Sequence, residues 1–131
     1  MLTRWLLCCK NELGAKKVSD VINTAYKGEA EIIMHKANLL EVYYDAYRYR
    51  SKEQADLMLE KVEKCPIQIN AEITDEIFTE AGRLKAIYKM SFADSFALAQ
   101  AKISGGALIT SDHHGFDVIE SNEDIMFAWI R

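Results

Sequence analysis

Apolar positions along the chain alternate between two kinds of pattern. Glu31-Ile32-Ile33-Met34-His35 is a short, largely β-branched run bounded by Gly28 and Asn38, too brief for a helix, and it predicts a buried strand. Beyond it, Leu39, Val42, Tyr43, Ala46 and Tyr47 recur at helical spacing, with Asn38 placed to cap that helix. Ser51 and Gln54 form a capping-box pair ahead of a second helix whose face is Ala55, Met58, Leu59 and Val62, and Pro66 follows its end. Ile67-Gln68-Ile69 predicts a second strand. Thr74 then caps a helix with Asp75 and Glu76 in its first turn, where carboxylates meet the positive end of the dipole, and with Ile77, Ala81, Leu84 and Tyr88 as its stripe. Ser91 opens another helix to about Ser104, which Gly105-Gly106 ends before the apolar run Ala107-Leu108-Ile109-Thr110, a central strand. Residues Leu6 to Tyr26, with Leu13, Val18, Val21, Ile22 and Ala25, predict helix interrupted near Gly14, and Ile125 to Ile130 predicts a closing strand or edge segment.

Strands that are continuously apolar and separated by helical patterns imply a parallel sheet covered on both faces, so the class is α/β. In such sheets ligands bind beyond the carboxyl ends of the strands, where loops lead into helix N-termini. The chemistry belongs at that edge.

Composition narrows the classes. A chain of 131 residues that is 50% hydrophobic has material for one core, so residues 1–131 are read as one domain. Charged residues at 27% and aromatics at 10% exclude disordered and membrane classes. With a net charge of −4, any polyanionic partner has to be met by a local basic patch or a bound cation. Cys8, Cys9 and Cys65 make neither a disulfide framework nor a CxxC spacing, and Met1–Cys9 is too short for an export signal or a membrane span; a reducing, cytoplasmic setting is expected.

Three acids fall at the predicted edge: Glu41 after the first-predicted strand, Asp94 in the first turn of the Ser91 helix, and Asp112 two residues past Thr110. Gathered carboxylates repel one another and are tolerated around a divalent cation, and oxygen-only donors favour Mg²⁺ or Mn²⁺ over Zn²⁺. Each acid also has an ordinary reading. Glu41 and Asp94 each stand three residues after a capping residue, and Asp112 can start a turn. Asp94 shares a face with Leu98 and Ala101, which places it half-buried.

The segments Ser91-Phe92-Ala93-Asp94-Ser95-Phe96-Ala97-Leu98-Ala99-Gln100-Ala101 and Ala107-Leu108-Ile109-Thr110-Ser111-Asp112-His113-His114-Gly115-Phe116-Asp117 closely resemble the C-terminal signature of PIN domains, especially VapC-like toxins of toxin–antitoxin pairs. Asn38-Leu39-Leu40-Glu41-Val42-Tyr43 resembles the segment carrying the family's second acid. The resemblance implies a three-layer α/β/α domain, usually a homodimer, that cleaves RNA with Mg²⁺ or Mn²⁺ held by three or four acids and is restrained by a partner antitoxin. Carried over, Glu41, Asp94 and Asp112 are its second, third and fourth acids, catalytic and metal-binding together. The first acid has no counterpart. The expected alignment puts Leu2 in its place and Thr3 at the adjoining hydroxyl position, leaving the family's central first strand missing or degenerate; either the start is cropped or shifted, or Thr3–Cys9 fills the slot without an acid.

Around these acids, Thr110 and Ser111 read as strand-end hydroxyls with a structural role, His113 and His114 as a solvated loop pair, and Asp117 as a loop acid. Lys10, Lys16, Lys17, Arg48, Arg50 and Lys52 are candidate substrate cations, with Tyr43, Tyr44, Tyr47 and Tyr49 among them as core or interface aromatics. A catalytically silent module acting through dimerisation and protein binding is the competing expectation. A phosphatase-like reading fails because no strand is followed by an Asp-x-Asp pair.

Overall fold

The computed structural model of the chain describes residues 3–7, 16–110 and 113–129. Five strands form one parallel sheet: β1 (Thr3–Leu7), β2 (Ala30–His35), β3 (Ile67–Asn70), β4 (Ala107–Thr110) and β5 (Met126–Trp129), in the order β3-β2-β1-β4-β5. Between them run α1 (Lys16–Tyr26), α2 (Lys36–Tyr49), α3 (Lys52–Lys64), α4 (Asp75–Ile87), α5 (Phe92–Ser104) and α6 (His113–Asn122).

Successive side chains of β1, β2 and β4 supply two cores. Leu6, Ile33 and Leu108 pack with α4, α5 and α6, through residues such as Leu84, Leu98, Phe116 and Ile119. Trp5, Ile32, Met34 and Ile109 face the other way, onto Val18 and Val21 of α1, Val42 of α2 and Met58 of α3. Apolar residues on both faces of the strands are what a three-layer α/β/α domain requires. No helix among the described residues is long and apolar enough to cross a membrane.

The first strand is present and central. Trp5 pairs with Ile32 on one side and Ala107 on the other, so Thr3–Leu7 fills the slot that the sequence left in doubt, with no carboxylate among its five residues. Its single charge, Arg4, is neutralised in place. The guanidinium pairs with Glu31 at 3.1 Å and donates to the Ser104 carbonyl at 2.8 Å, at the C-terminal end of α5 where a cation opposes the helix dipole. Gly106 makes this junction possible, because a Cβ there would run into the Leu6 side chain and approach the Arg4 carbonyl oxygen at 3.0 Å.

Two expected element boundaries change. Leu6 belongs to β1 and not to the first helix, because its period-two neighbours pair on both sides; the described helix begins at Lys16. His113, His114 and Asp117, expected in a loop, belong to α6 (His113–Asn122), anchored by the buried Phe116 and Ile119.

Candidate metal centre

All five strands run the same way, so their carboxyl ends, at Leu7, His35, Asn70, Thr110 and Trp129, share one edge. From this edge β2 passes directly into α2. The cap of α2 is His35, not the expected Asn38: its side chain accepts from Ala37 N, and the helix starts at Lys36. This shift has a chemical consequence for Glu41. With His35 as cap, Glu41 lies in the second turn of α2, beyond reach of a capping-box role, and it is 7% exposed.

Asp94 enters from α5. Ser91 caps that helix, its hydroxyl accepting from the Asp94 backbone N–H at 3.1 Å, and the Asp94 side chain is half-buried, as its spacing to Leu98 and Ala101 indicated. The two helices are joined where the acids stand. Asn38, with no exposed surface, donates from Nδ2 to the Ala93 carbonyl at 3.0 Å, so the residue three before Glu41 is bonded to the residue beside Asp94. Asn38 was expected as a cap; its position on the Glu41 face at i, i+3 was the available signal for this second role.

Asp112, Ser111 and Lys10 lie outside the described residues, as do the side chains of His113 and His114. His113 and His114 open a helix rather than occupying a loop, and Asp117 is an exposed residue of that same helix. Thr110 ends β4 with no exposed surface. Among the described residues, no three His, Cys, Asp or Glu side chains gather as a metal-binding group. The structure places two of the three expected acids at one edge. Both are hard oxygen donors, one of them buried, and that donor set fits Mg²⁺ or Mn²⁺ and does not fit a soft-ligand metal.

The expected position of the absent acid changes. Thr3 pairs with Ala30, the first residue of β2, so Thr3 is at the amino edge of the sheet, opposite Glu41 and Asp94. A group serving the carboxyl edge has to follow Leu7, where the sequence reads Cys8-Cys9-Lys10-Asn11; Glu12 is the first carboxylate. Leu2, which precedes the strand, is therefore not the relevant position, and it and Cys8 lie outside the described residues.

The candidate cations divide by edge. Lys17 donates to the carbonyl of Trp129, the last residue of β5, which puts it at the carboxyl edge. Arg48, Arg50 and Lys52 are at or beyond the far end of α2, and nine residues of helical rise set Arg50 about 13 Å from Glu41 along the axis. Two of the three are also engaged: Arg48 lies over Tyr44 and Tyr49 at 5.6 and 6.0 Å, and Lys52 pairs with Asp56 at 2.8 Å. Exposed Lys36, on the first turn of α2, and Lys89, just ahead of α5, were missed by sequence reading and stand closer to the acids in the chain. Of the tyrosines, Tyr43 is half-buried and bonded to Asp56 at 3.2 Å, whereas Tyr44, Tyr47 and Tyr49 are exposed.

The model of the PIN domain family matches residues 3–121. Comparison with curated protein sequences finds no match. Among solved structures, the chain is similar to VapBC from Salmonella typhimurium bound to DNA (TM-score 0.73, 13% identity, 100% of each chain covered). It is also similar to VapBC2 from Rickettsia felis bound to a DNA fragment from their promoter (TM-score 0.71, 15% identity, 96% of this chain and 98% of that one). A third is VapC20 from Mycobacterium tuberculosis, described as a sarcin-ricin loop cleaving toxin (TM-score 0.60, 12% identity, 79% and 86% covered). At these identities the likeness is one of fold.

Proposed function

The chain belongs to the PIN domain family, and from that membership we propose that it is a metal-dependent endoribonuclease, the toxin of a toxin–antitoxin pair. The observation that carries the reading is the convergence of buried Glu41 and half-buried Asp94 on one sheet edge, fastened by the bond from Asn38 to Ala93. Support for the toxin role comes from neighbours of the same fold described as VapBC bound to DNA and, for one, as a sarcin-ricin loop cleaving toxin. Asp112, two residues past the end of β4, completes the proposed set of Glu41, Asp94 and Asp112 as metal ligands and catalytic acids.

When bound, Mg²⁺ or Mn²⁺ supplies Lewis-acid polarisation of the phosphodiester and a water of lowered pKa. The chain's own residues do the remaining work. Glu41 and Asp94 offer carboxylate oxygens from two helices held in fixed relation, and a carboxylate of this set accepts the proton of the attacking water. Lys17, Lys36 and Lys89 offer positive charge to an RNA backbone that a chain of net charge −4 would otherwise repel. A homodimer is part of the proposal. Phe78, Phe92 and Ile73, 69%, 67% and 54% exposed, border a cavity of about 440 Å³ between α4 and α5 and give an apolar surface suited to a protein partner.

The silent-module reading keeps one specific observation: no carboxylate stands in β1 or in the four residues after it. Cleavage of RNA separates the two. The proposal expects cutting that stops with EDTA, returns with Mn²⁺ or Mg²⁺, and falls at least about 100-fold in Asp94→Asn while the melting temperature holds. A folded protein that cuts no RNA with either metal, yet binds its partner, establishes the alternative.

A further inference from the structure

We propose that His35 is a positioning residue for this metal centre, selecting the start of α2 and thereby the direction in which Glu41 points. The consequence for metal rests on the nuclease reading above; the geometry does not. His35 is buried, 4% exposed, and its ring is held from three sides. Nδ1 accepts from Ala37 N–H at 3.1 Å. Nε2 lies 3.0 Å from the Glu72 carbonyl, and because a carbonyl only accepts, Nε2 carries the hydrogen. The ring also stacks on Phe96, with centroids 4.8 Å apart and planes at 21°, two residues beyond Asp94 on α5.

These attachments settle a competition written into the sequence. Asn is among the preferred N-cap residues and His is not, so Asn38 is the better cap on local preference alone. A helix starting after Asn38 would leave Lys36 and Ala37 outside it and place Asn38 in extended backbone. The Asn38 side chain would then turn to its own helix terminus and release the Ala93 carbonyl, separating Glu41 from the first turn of α5. His35 prevents this by supplying an acceptor three residues earlier, with a ring that the Glu72 carbonyl and Phe96 fix in the accepting orientation. Both caps cannot operate at once, so the choice between them is a choice between two placements of Glu41.

Titration of the full chain with Mn²⁺ tests this. His35→Leu removes the acceptor and is expected to weaken binding about tenfold or more, whereas His35→Asn, which restores a capping oxygen, is expected to stay within about threefold of the unsubstituted protein. Unchanged affinity in the folded leucine variant, or equal loss in both variants, overturns the proposal. Should the leucine variant not fold, the unsubstituted protein still decides: ¹⁵N spectra are expected to show the Nε2–H tautomer with a slowly exchanging Ala37 amide, and an Nδ1–H tautomer contradicts it. If the unsubstituted protein neither binds Mn²⁺ nor cuts RNA, the nuclease reading fails separately. The role of His35 then rests on Glu41 amide exchange, expected to be about tenfold faster in His35→Leu than in the unsubstituted protein, with an equal rate as the refuting result.

Discussion

Asn38 bonds the first turns of two helices that lie 55 residues apart in the chain, through a side chain that has no contact with solvent. Removing it leaves the Ala93 carbonyl without that donor in the interior, and the usual cost of such a loss is about 1–3 kcal/mol. Asn38→Ala is accordingly expected to lower stability by that amount in urea unfolding, with the slope of the transition unchanged. A loss within about 0.5 kcal/mol, the ordinary range for surface substitutions, would mean that the bond does not hold α2 to α5. At this scale the sequence was informative about identity and less so about role. The placement of Glu41 and Asp94 at the carboxyl edge was readable, because each follows an apolar strand or a helix cap that the sequence marks locally. His35 was not, because histidine is a rare cap and its acceptor is fixed only by Glu72 and Phe96, which are distant in sequence.

Elements whose signals are local emerged as the pattern predicts. Ser51, Thr74 and Ser91 each cap the helix that follows by accepting from the backbone N–H three residues on, at 3.1, 3.2 and 3.1 Å. β2 and β4 follow from their apolar runs. β1 and α6 were not legible, for different reasons. β1 owes its existence to pairing with two neighbours far along the chain, and α6 begins at His113-His114-Gly115, which reads as a turn until Phe116 and Ile119 find the core. The junction of α5 and β4 gives a test at this scale. Gly105 has φ +72° and closes α5 in the left-handed region, and Gly106 lies against Leu6 and Arg4. Gly106→Ala is expected to overpack β4 against β1 and cost about 1–3 kcal/mol, measured by thermal unfolding; wild-type stability would show that the central pair of strands is not tightly apposed there.

Across the whole molecule, one ionic network ties α4, α5 and the turn after α6. Glu123 accepts from Arg83 at 2.5 Å, Tyr88 at 2.7 Å and Lys102 at 3.3 Å, while Glu80 pairs with Arg83 at 2.6 Å and Lys102 at 3.1 Å. Hydrogen bonding from Arg83, above all, holds the Glu123 carboxyl at about 2, below its ordinary 4.5, and it lowers Glu80 as well. A carboxyl with a depressed folded-state pKa contributes stability that is fully present above its unfolded value and disappears as pH falls through the folded one. Stability is therefore expected to drop between about pH 4.5 and pH 2, by a few kcal/mol for this network, and Glu123→Gln is expected to flatten that acid limb. An identical acid limb in the variant would assign the loss to other carboxylates. The network lies among the helices on one face of the sheet and braces α5, whose first turn carries Asp94.

The claim on which the functional account depends is that Glu41 and Asp94 serve one cation although β1 brings no acid to the edge. Calorimetric titration of the chain with Mn²⁺, alongside Glu41→Gln and Asp94→Asn, addresses it without requiring a substrate. The account predicts one ion per chain, bound at least about tenfold more weakly in each folded variant. No Mn²⁺ binding by the unsubstituted chain, or binding that neither substitution alters, would contradict it.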